Sequence, residues 1–284
     1  MTAPREPQEG RLPDFLIVGA PRCGTTSLAT YLGAHPDVFM SARKELNFFN
    51  RIEPTPAAIA HYRGLFADAR PDQRAGEATP FYLSDPDAPT RMEKVVPNAL
   101  LVAILREPVS RAYSHYWWQR LWRAEKRSFA DAIAAERAGD IVPGAEYLRC
   151  GRYHDQVVEM SRHFPRESTH IVLLDDLRDD PIAVYASICE HIGADPSIRP
   201  EVVGARTNTT VRARWWWLWR KMRPRRRQPG TRSALFRFVD SMNSHAFVPE
   251  PMDDTLRAEL VQYFAEPNAA LADWLGRDLS RWSR

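Results

Sequence analysis

The sequence predicts an α/β fold of three layers, with a central, mostly parallel sheet flanked by helices. Three observations lead there. Residues 14–18, 99–105 and 170–174 are short apolar runs, and each is followed by a turn and then a stretch of helical character. Strand-loop-helix units repeated over most of a chain are the pattern of a wound parallel sheet. Finally, 284 residues, 44% hydrophobic and 26% charged, are enough for one large domain with a buried core and exclude a disordered chain.

Taken in order, residues 1–13 are polar and proline-rich and are expected to form a flexible N-terminus ahead of a single domain over residues 14–284. Asp14-Phe15-Leu16-Ile17-Val18 is closed by Gly19 and reads as a buried strand, followed by a helix over residues 25–34. The run at 99–105 leads through Pro108 into an aromatic-rich helix reaching about Trp122. The run at 170–174 gives way to acidic turn residues and a helix opening at Pro181 and ending about Ile192. Leu256, Leu260, Phe264, Leu271 and Leu275 recur at helical spacing and predict a closing helix or helix pair over 253–275.

Charge and cysteine usage narrow the function. A net charge of +3 is too mild to argue for nucleic acid. Cys23, Cys150 and Cys189 are an odd number without a C-x-x-C pair, which speaks against a disulfide framework or a zinc site and fits a reducing cytoplasm. No metal is expected. Neither the apolar core of a signal peptide nor a run of about 18 apolar residues is seen, so a cytoplasmic protein is expected, with peripheral membrane contact left open.

Gly19-Ala20-Pro21-Arg22-Cys23-Gly24-Thr25-Thr26 has the G-x-x-x-x-G skeleton of a phosphate loop between strand and helix. There, first-turn amides and the positive end of the helix dipole face an anion, and Thr25, Thr26 and Ser27 add hydroxyl donors. The lysine that a nucleoside triphosphatase carries after the second glycine is replaced by Thr25, and Arg22 is the only cation in the loop. That is poor equipment for ATP with magnesium. It suits a donor with one phosphate and one sulfate at its 5′ end.

Residues 19–28 resemble the 5′-phosphosulfate loop of sulfotransferases, particularly the branch of heparan sulfate and bacterial carbohydrate enzymes. Three more blocks agree in order: Lys44-Glu45-Leu46-Asn47-Phe48-Phe49, Gly76-Glu77-Ala78-Thr79-Pro80-Phe81-Tyr82-Leu83, and Leu105-Arg106-Glu107-Pro108-Val109-Ser110-Arg111-Ala112-Tyr113-Ser114. Gly151-Arg152-Tyr153 also looks familial. The resemblance implies a P-loop-like sulfotransferase fold and 3′-phosphoadenosine 5′-phosphosulfate as co-substrate. It assigns Arg22, Cys23, Gly24, Thr25, Thr26 and Ser27 to the 5′ end of that donor, Arg106 and Ser114 to its 3′-phosphate, and Tyr153 to the same site. Glu45 is implied as the base toward the acceptor, a hydroxyl or amine of a carbohydrate, lipid-linked sugar or secondary metabolite. Glu77 is its rival, with a structural role equally open.

Two departures stand out. Arginine occupies position 22 where the family often has lysine, which keeps the charge on the leaving phosphate but removes a proton donor. Ser241-Met242-Asn243-Ser244-His245 replaces a basic, glycine-containing loop, leaving only His245 as a donor contact there. Residues 211–227 join Trp215, Trp216, Trp217 and Trp219 to a run of arginines, which reads as ordinary packing plus a solvated turn, a lid, or a membrane-contact insert. The competing functions are a P-loop kinase or hydrolase and a noncatalytic, membrane-peripheral nucleotide-binding protein.

Overall fold

The computed structural model describes residues 10–122, 124–205, 211–213, 244–246 and 249–283. Its centre is a five-stranded sheet made of β1 (Phe15–Gly19), β2 (Val38–Met40), β3 (Arg74–Ala78), β4 (Leu100–Leu105) and β5 (Thr169–Leu173). The strand order is β2-β3-β1-β4-β5 and every pairing is parallel. The helices that flank it include α1 (Thr25–Gly33), α2 (Phe48–Arg51), α3 (Pro56–Gly64), α4 (Ala88–Val95) and α5 (Pro108–Leu121). They continue with α6 (Phe129–Arg137), α7 (Tyr153–Met160), α8 (Leu174–Asp179), α9 (Pro181–Ile192) and a long C-terminal helix, Asp254–Leu275. A separate antiparallel pair, β6 (Val211–Ala213) with β7 (Ser244–Ala246), stands outside the sheet.

β1 and β4 are continuous apolar runs because helices cover both faces of a parallel sheet; Phe15, Leu16, Ile17 and Val18 are fully buried, as are Leu101 to Leu105. β2 and β3 escaped the pattern search for opposite reasons. β2 is three residues long, and β3 reads Arg-Ala-Gly-Glu-Ala, with small residues where bulk was sought. The small residues are a packing requirement. The Phe15 ring lies against Gly76, so a Cβ there would come within 2.3 Å of it. The acidic segment expected to be a turn after β5 is instead the short helix α8, and the closing element is one helix with Pro267 inside it.

Helix boundaries follow from their caps. Glu107 accepts bonds from the Val109 and Ser110 amides at 2.8 and 2.7 Å and starts α5 with Pro108 at its first position. Asp180 with Pro181 does the same for α9, which ends on Gly193 in the left-handed conformation. A second apolar cluster joins Val109, Ala112 and Tyr116 of α5 to Phe129 and Ile133 of α6 and to Leu260 and Phe264 of the C-terminal helix. The burial of each such side chain stabilises the fold by about 1.5–3 kcal/mol, and it locks the C-terminal helix beside α5.

Of the expected flexible N-terminus, residues 1–9 lie outside the described residues. Residues 10–13 pack on the body: the Gly10 carbonyl accepts from Arg63 Nε at 2.8 Å and Arg11 pairs with Asp14 at 2.6 Å. Among the described residues no helix is long and apolar enough to cross a membrane.

The topology selects one end of the sheet. From β1 the chain goes to β2 and back through β3 on one side, then crosses to β4 and β5 on the other. Ligands of open α/β sheets bind outside the carboxyl ends of the strands at such a switch point. Gly76→Ala should destabilise the protein by about 1–3 kcal/mol through the clash with Phe15, read as a lower midpoint in urea unfolding.

Candidate active site

The phosphate loop leaves β1 at Gly19 and enters α1 at Thr25. The Ala20 amide donates to the Ile104 carbonyl at 2.9 Å, tying the loop to β4. Arg22 and Gly24 both take left-handed backbone, with φ of 69° and 104°. Gly24 caps α1 without a side-chain acceptor, and an α-helix start of this kind offers backbone amides and a positive dipole end to an anion. Thr25 is buried at the helix start. Cys23 is fully buried, with Sγ 3.6 Å from the Tyr153 hydroxyl, and burial pushes its thiol up; it is a packing residue.

Three guanidiniums converge beside this loop. Arg22 Nε donates to Ser114 Oγ at 3.3 Å, and Arg106 Nη1 reaches the Arg22 carbonyl at 3.5 Å. Tyr153 donates to the Arg106 carbonyl at 2.9 Å, fixing the chain where β4 ends. Burial, and then the charge of Arg106, hold the Arg22 guanidinium below its ordinary value; burial above all does the same to Arg106. Arg111, one turn further along α5, is completely buried. It bonds to the Tyr147 carbonyl and to His115 Nδ1, and its Nε has no partner. Among the described residues none of the three arginines forms an ion pair with a carboxylate. Like charges gathered in a partly desolvated pocket with no carboxylate in ion-pair contact are an arrangement that an anionic ligand completes.

A cavity of about 400 Å³ opens from this cluster, lined by Arg106, Ser110, Tyr113, Ser114, Trp117 and Arg257 with Pro249 and Met252. Arg106, Ser110, Ser114 and Trp117 lie at spacings of four, four and three, one face of α5 preceded by the link residue that follows β4. That stripe was readable in the sequence and extends the expected pair of Arg106 and Ser114. Arg257 was not readable, because the C-terminal helix delivers it from far along the chain.

On the other side of the loop lies the segment between β2 and α2. Glu45 and Asn47 both have left-handed backbone, with φ of 60° and 54°. The Glu45 carboxylate is half-exposed and pairs with Lys44 Nζ at 3.2 Å. Lys44 also reaches Thr25 Oγ1 at 3.4 Å, so the loop has a second cation, supplied from outside the stretch where Arg22 stands alone. Glu45 is close enough to raise the Arg22 value by its charge. Glu77 is fully buried and accepts from three hydroxyls, Tyr62, Tyr82 and Thr79, at 2.9, 2.7 and 2.7 Å. Burial pushes its carboxyl up, against the opposing pull of those bonds. It has no opening to an acceptor.

The structure thus brings Arg22, Cys23, Gly24, Thr25, Thr26, Ser27, Arg106, Ser114, Tyr153 and Glu45 to one end of the sheet. Thr26 and Ser27 lie on the partly exposed side of the α1 start, and Tyr153 acts from below, through the Arg106 carbonyl. Cys150 and Cys189 are buried packing positions. Trp215, Trp216, Trp217 and Trp219 and the arginines after them lie outside the described residues, as do Ser241, Met242 and Asn243; only the backbone of His245, in β7, is described.

The profile of the sulfotransferase domain matches residues 12–211. The chain is similar to heparan sulfate glucosamine 3-O-sulfotransferase 6 of Mus musculus, 29% identical over 187 residues that make up 66% of this chain and 54% of that protein. It is also similar to the membrane-associated sulfotransferase kil1 of Dictyostelium discoideum, 32% identical over 126 residues, 43% of this chain and 27% of that one. The chain thus spans about half or less of the length of these relatives. A solved structure of a sulfotransferase from Alicyclobacillus acidocaldarius superimposes with a TM-score of 0.74 at 27% identity, covering 96% of this chain and 99% of that one.

The pocket floor has a consequence for stability. Burial first, and then the charges of Arg111 and Arg22, hold His115 well below the ordinary imidazole value of 6.5. Burial also lowers His170 and His191. Above pH 6.5 these rings are neutral folded and unfolded alike. Below it the unfolded chain takes up protons that the native state refuses, so stability is lost as the pH is lowered through that range. His115→Asn should flatten the stability–pH curve below pH 6.5 by up to one proton, about 1.4 kcal/mol per pH unit, as measured by urea unfolding at a series of pH values.

Proposed function

The chain belongs to the sulfotransferase domain family, and from that premise we propose that it moves a sulfuryl group from 3′-phosphoadenosine 5′-phosphosulfate to an acceptor hydroxyl or amine, with Glu45 as base. The observation that carries this reading is the set of three arginines at the switch point, none in ion-pair contact with a carboxylate among the described residues, opposite the half-exposed Glu45. A donor with anionic groups at both its 5′ and 3′ ends supplies the negative charge that the pocket lacks. The amides of the α1 start and Thr25 hold its 5′ end, with Arg22 and Lys44 neutralising charge there. Arg106 and Ser114, in the adjoining cavity, hold its 3′-phosphate, with Ser110 and Arg257 lining the same space.

When bound, this donor supplies an activated sulfuryl group with the bisphosphate as leaving group. As the acceptor oxygen or nitrogen bonds to sulfur, the bond from sulfur to the 5′-phosphate oxygen breaks and Glu45 takes the acceptor's proton. Arg22, fully charged at working pH, stabilises the phosphate as negative charge builds on it. Lys44, paired with Glu45 and within reach of Thr25, exchanges that partner for the same phosphate. Acceptors are carbohydrates, lipid-linked sugars or secondary metabolites; the relatives' names favour testing glucosaminyl glycans first.

Calorimetry with 3′-phosphoadenosine 5′-phosphate should show binding to wild type that weakens tenfold or more in Arg106→Ala, with ATP and magnesium much weaker. Absence of bisphosphate binding by the folded protein would overturn the proposal. With radiolabelled donor and a panel of desulfated heparan, simple glycosides and phenols, Glu45→Gln should lower transfer by about 10²–10⁴-fold while leaving bisphosphate affinity within twofold.

A further inference from the structure

Glu77 is the most buried carboxylate at this end of the sheet, and its partners face the segment that bears Glu45. Its Oε1 accepts from the Tyr62 and Tyr82 hydroxyls and its Oε2 from Thr79. Two of those hydroxyls serve a second purpose. Tyr82 accepts from the Phe48 amide at 2.9 Å, and Thr79 Oγ1 accepts from the Asn47 amide at 3.3 Å. Both hydroxyls donate to the carboxyl, which takes up their hydrogens and leaves their lone pairs to the amides.

Those amides belong to a short stretch of strained backbone. Glu45 and Asn47 are non-glycine residues in the left-handed region, a state that persists only where the surroundings over-determine it. The Glu45 amide bonds to the Ala78 carbonyl at 2.9 Å, Asn47 Nδ2 donates to the Glu45 carbonyl at 2.7 Å and Asn50 Nδ2 to Asn47 Oδ1 at 3.4 Å. Of the contacts that reach the segment from outside it, the two hydroxyls are the ones that hold the Asn47 and Phe48 amides. Phe48, stacked on Tyr62 with ring centroids 4.2 Å apart, brings the same segment against a third donor to Glu77.

We propose that Glu77 is a positioning residue: it orients the Thr79 and Tyr82 hydroxyls so that they clamp the Asn47 and Phe48 amides and thereby aim Glu45 at the acceptor. This rests on the reading of Glu45 as the base. Glu77 itself touches neither donor nor acceptor. Replacing it by glutamine puts an N–H₂ group where only acceptors stood, so one hydroxyl must turn and surrender its hold on the loop.

Hydrogen exchange of the peptide covering residues 44–49, read by mass spectrometry together with bisphosphate affinity, tests this without an acceptor. Glu77→Gln and the milder Thr79→Val should speed exchange there at least tenfold, leave the sheet's exchange unchanged, and keep bisphosphate affinity within twofold. Thr79→Ser, which keeps the hydroxyl, should restore slow exchange. On any acceptor that wild type sulfates, kcat should fall tenfold or more in the first two variants, with donor KM unchanged, and recover in the third. Unchanged exchange at 44–49 in Thr79→Val, acceleration spread over the whole sheet, or failure of serine to rescue would overturn the inference. Glu45→Gln separates this from the base reading: it should lose transfer with exchange unaltered. If it keeps transfer, the base assignment fails while the exchange data still decide whether the clamp exists.

Discussion

Crowding of the partly or fully buried guanidiniums of Arg22, Arg106 and Arg111, with burial the larger effect and repulsion the second, is the constraint around which the active site is arranged. None of the three is in ion-pair contact with a carboxylate among the described residues, and Glu45 and Glu107 act on Arg22 and Arg106 only through their charge. Such a cluster costs folding free energy, so each member has to be held by something neutral. Ser114 and the Arg22 carbonyl do this for the first two, and the Tyr147 carbonyl and His115 for the third. The loop containing Tyr147 is itself held by Glu136, whose carboxylate accepts from the amides of Tyr147, Leu148 and Arg149. Glu136 therefore acts one layer away from Arg111, on the backbone that carries the acceptor of that guanidinium.

The same division of labour appears across the loop. Glu45 stands half-exposed, tethered only to Lys44, whereas Glu77 is enclosed by hydroxyls. Two acids separated by one strand end thus have opposite environments. An exposed ion pair of this kind contributes little to stability, about 0–1 kcal/mol, so Lys44 is free to change partner, while the buried acid is fixed in place.

Much of this was legible before any coordinates. β1 and β4 are uninterrupted apolar runs, the signature of strands covered on both faces, and β5 at the sheet edge keeps enough of that pattern in Ile171, Val172 and Leu173 to be found. The loop glycines could be found because a tight strand-to-helix turn demands them, and Arg106 because it stands at a strand end within a block that resembles the family's 3′-phosphate motif. β3 was not legible: its residues are small because Phe15 fills the space above Gly76, a fact set by another strand. Arg257 and Lys44 reach the site only through tertiary packing. The burial of Glu77 was equally hidden, since Tyr62 lies fifteen positions upstream of it in sequence, on α3. Sequence leaves open whether an acid beside a familiar motif faces solvent or the core.

The strand order carries a cost in time. β1 is the middle strand, and it pairs with Gly76 to Ala78 on one side and with Leu100 to Ala103 on the other. Both partners are synthesised well after it. At a translation rate of about 5–20 residues per second, this fully apolar strand waits several seconds with both edges unpaired. Distant pairings of this sort also slow folding, since loop closure precedes any gain from contact. The chain is therefore expected to depend on chaperones during synthesis and to aggregate when refolded at high concentration, a liability inherited from placing the phosphate loop at the centre of the sheet.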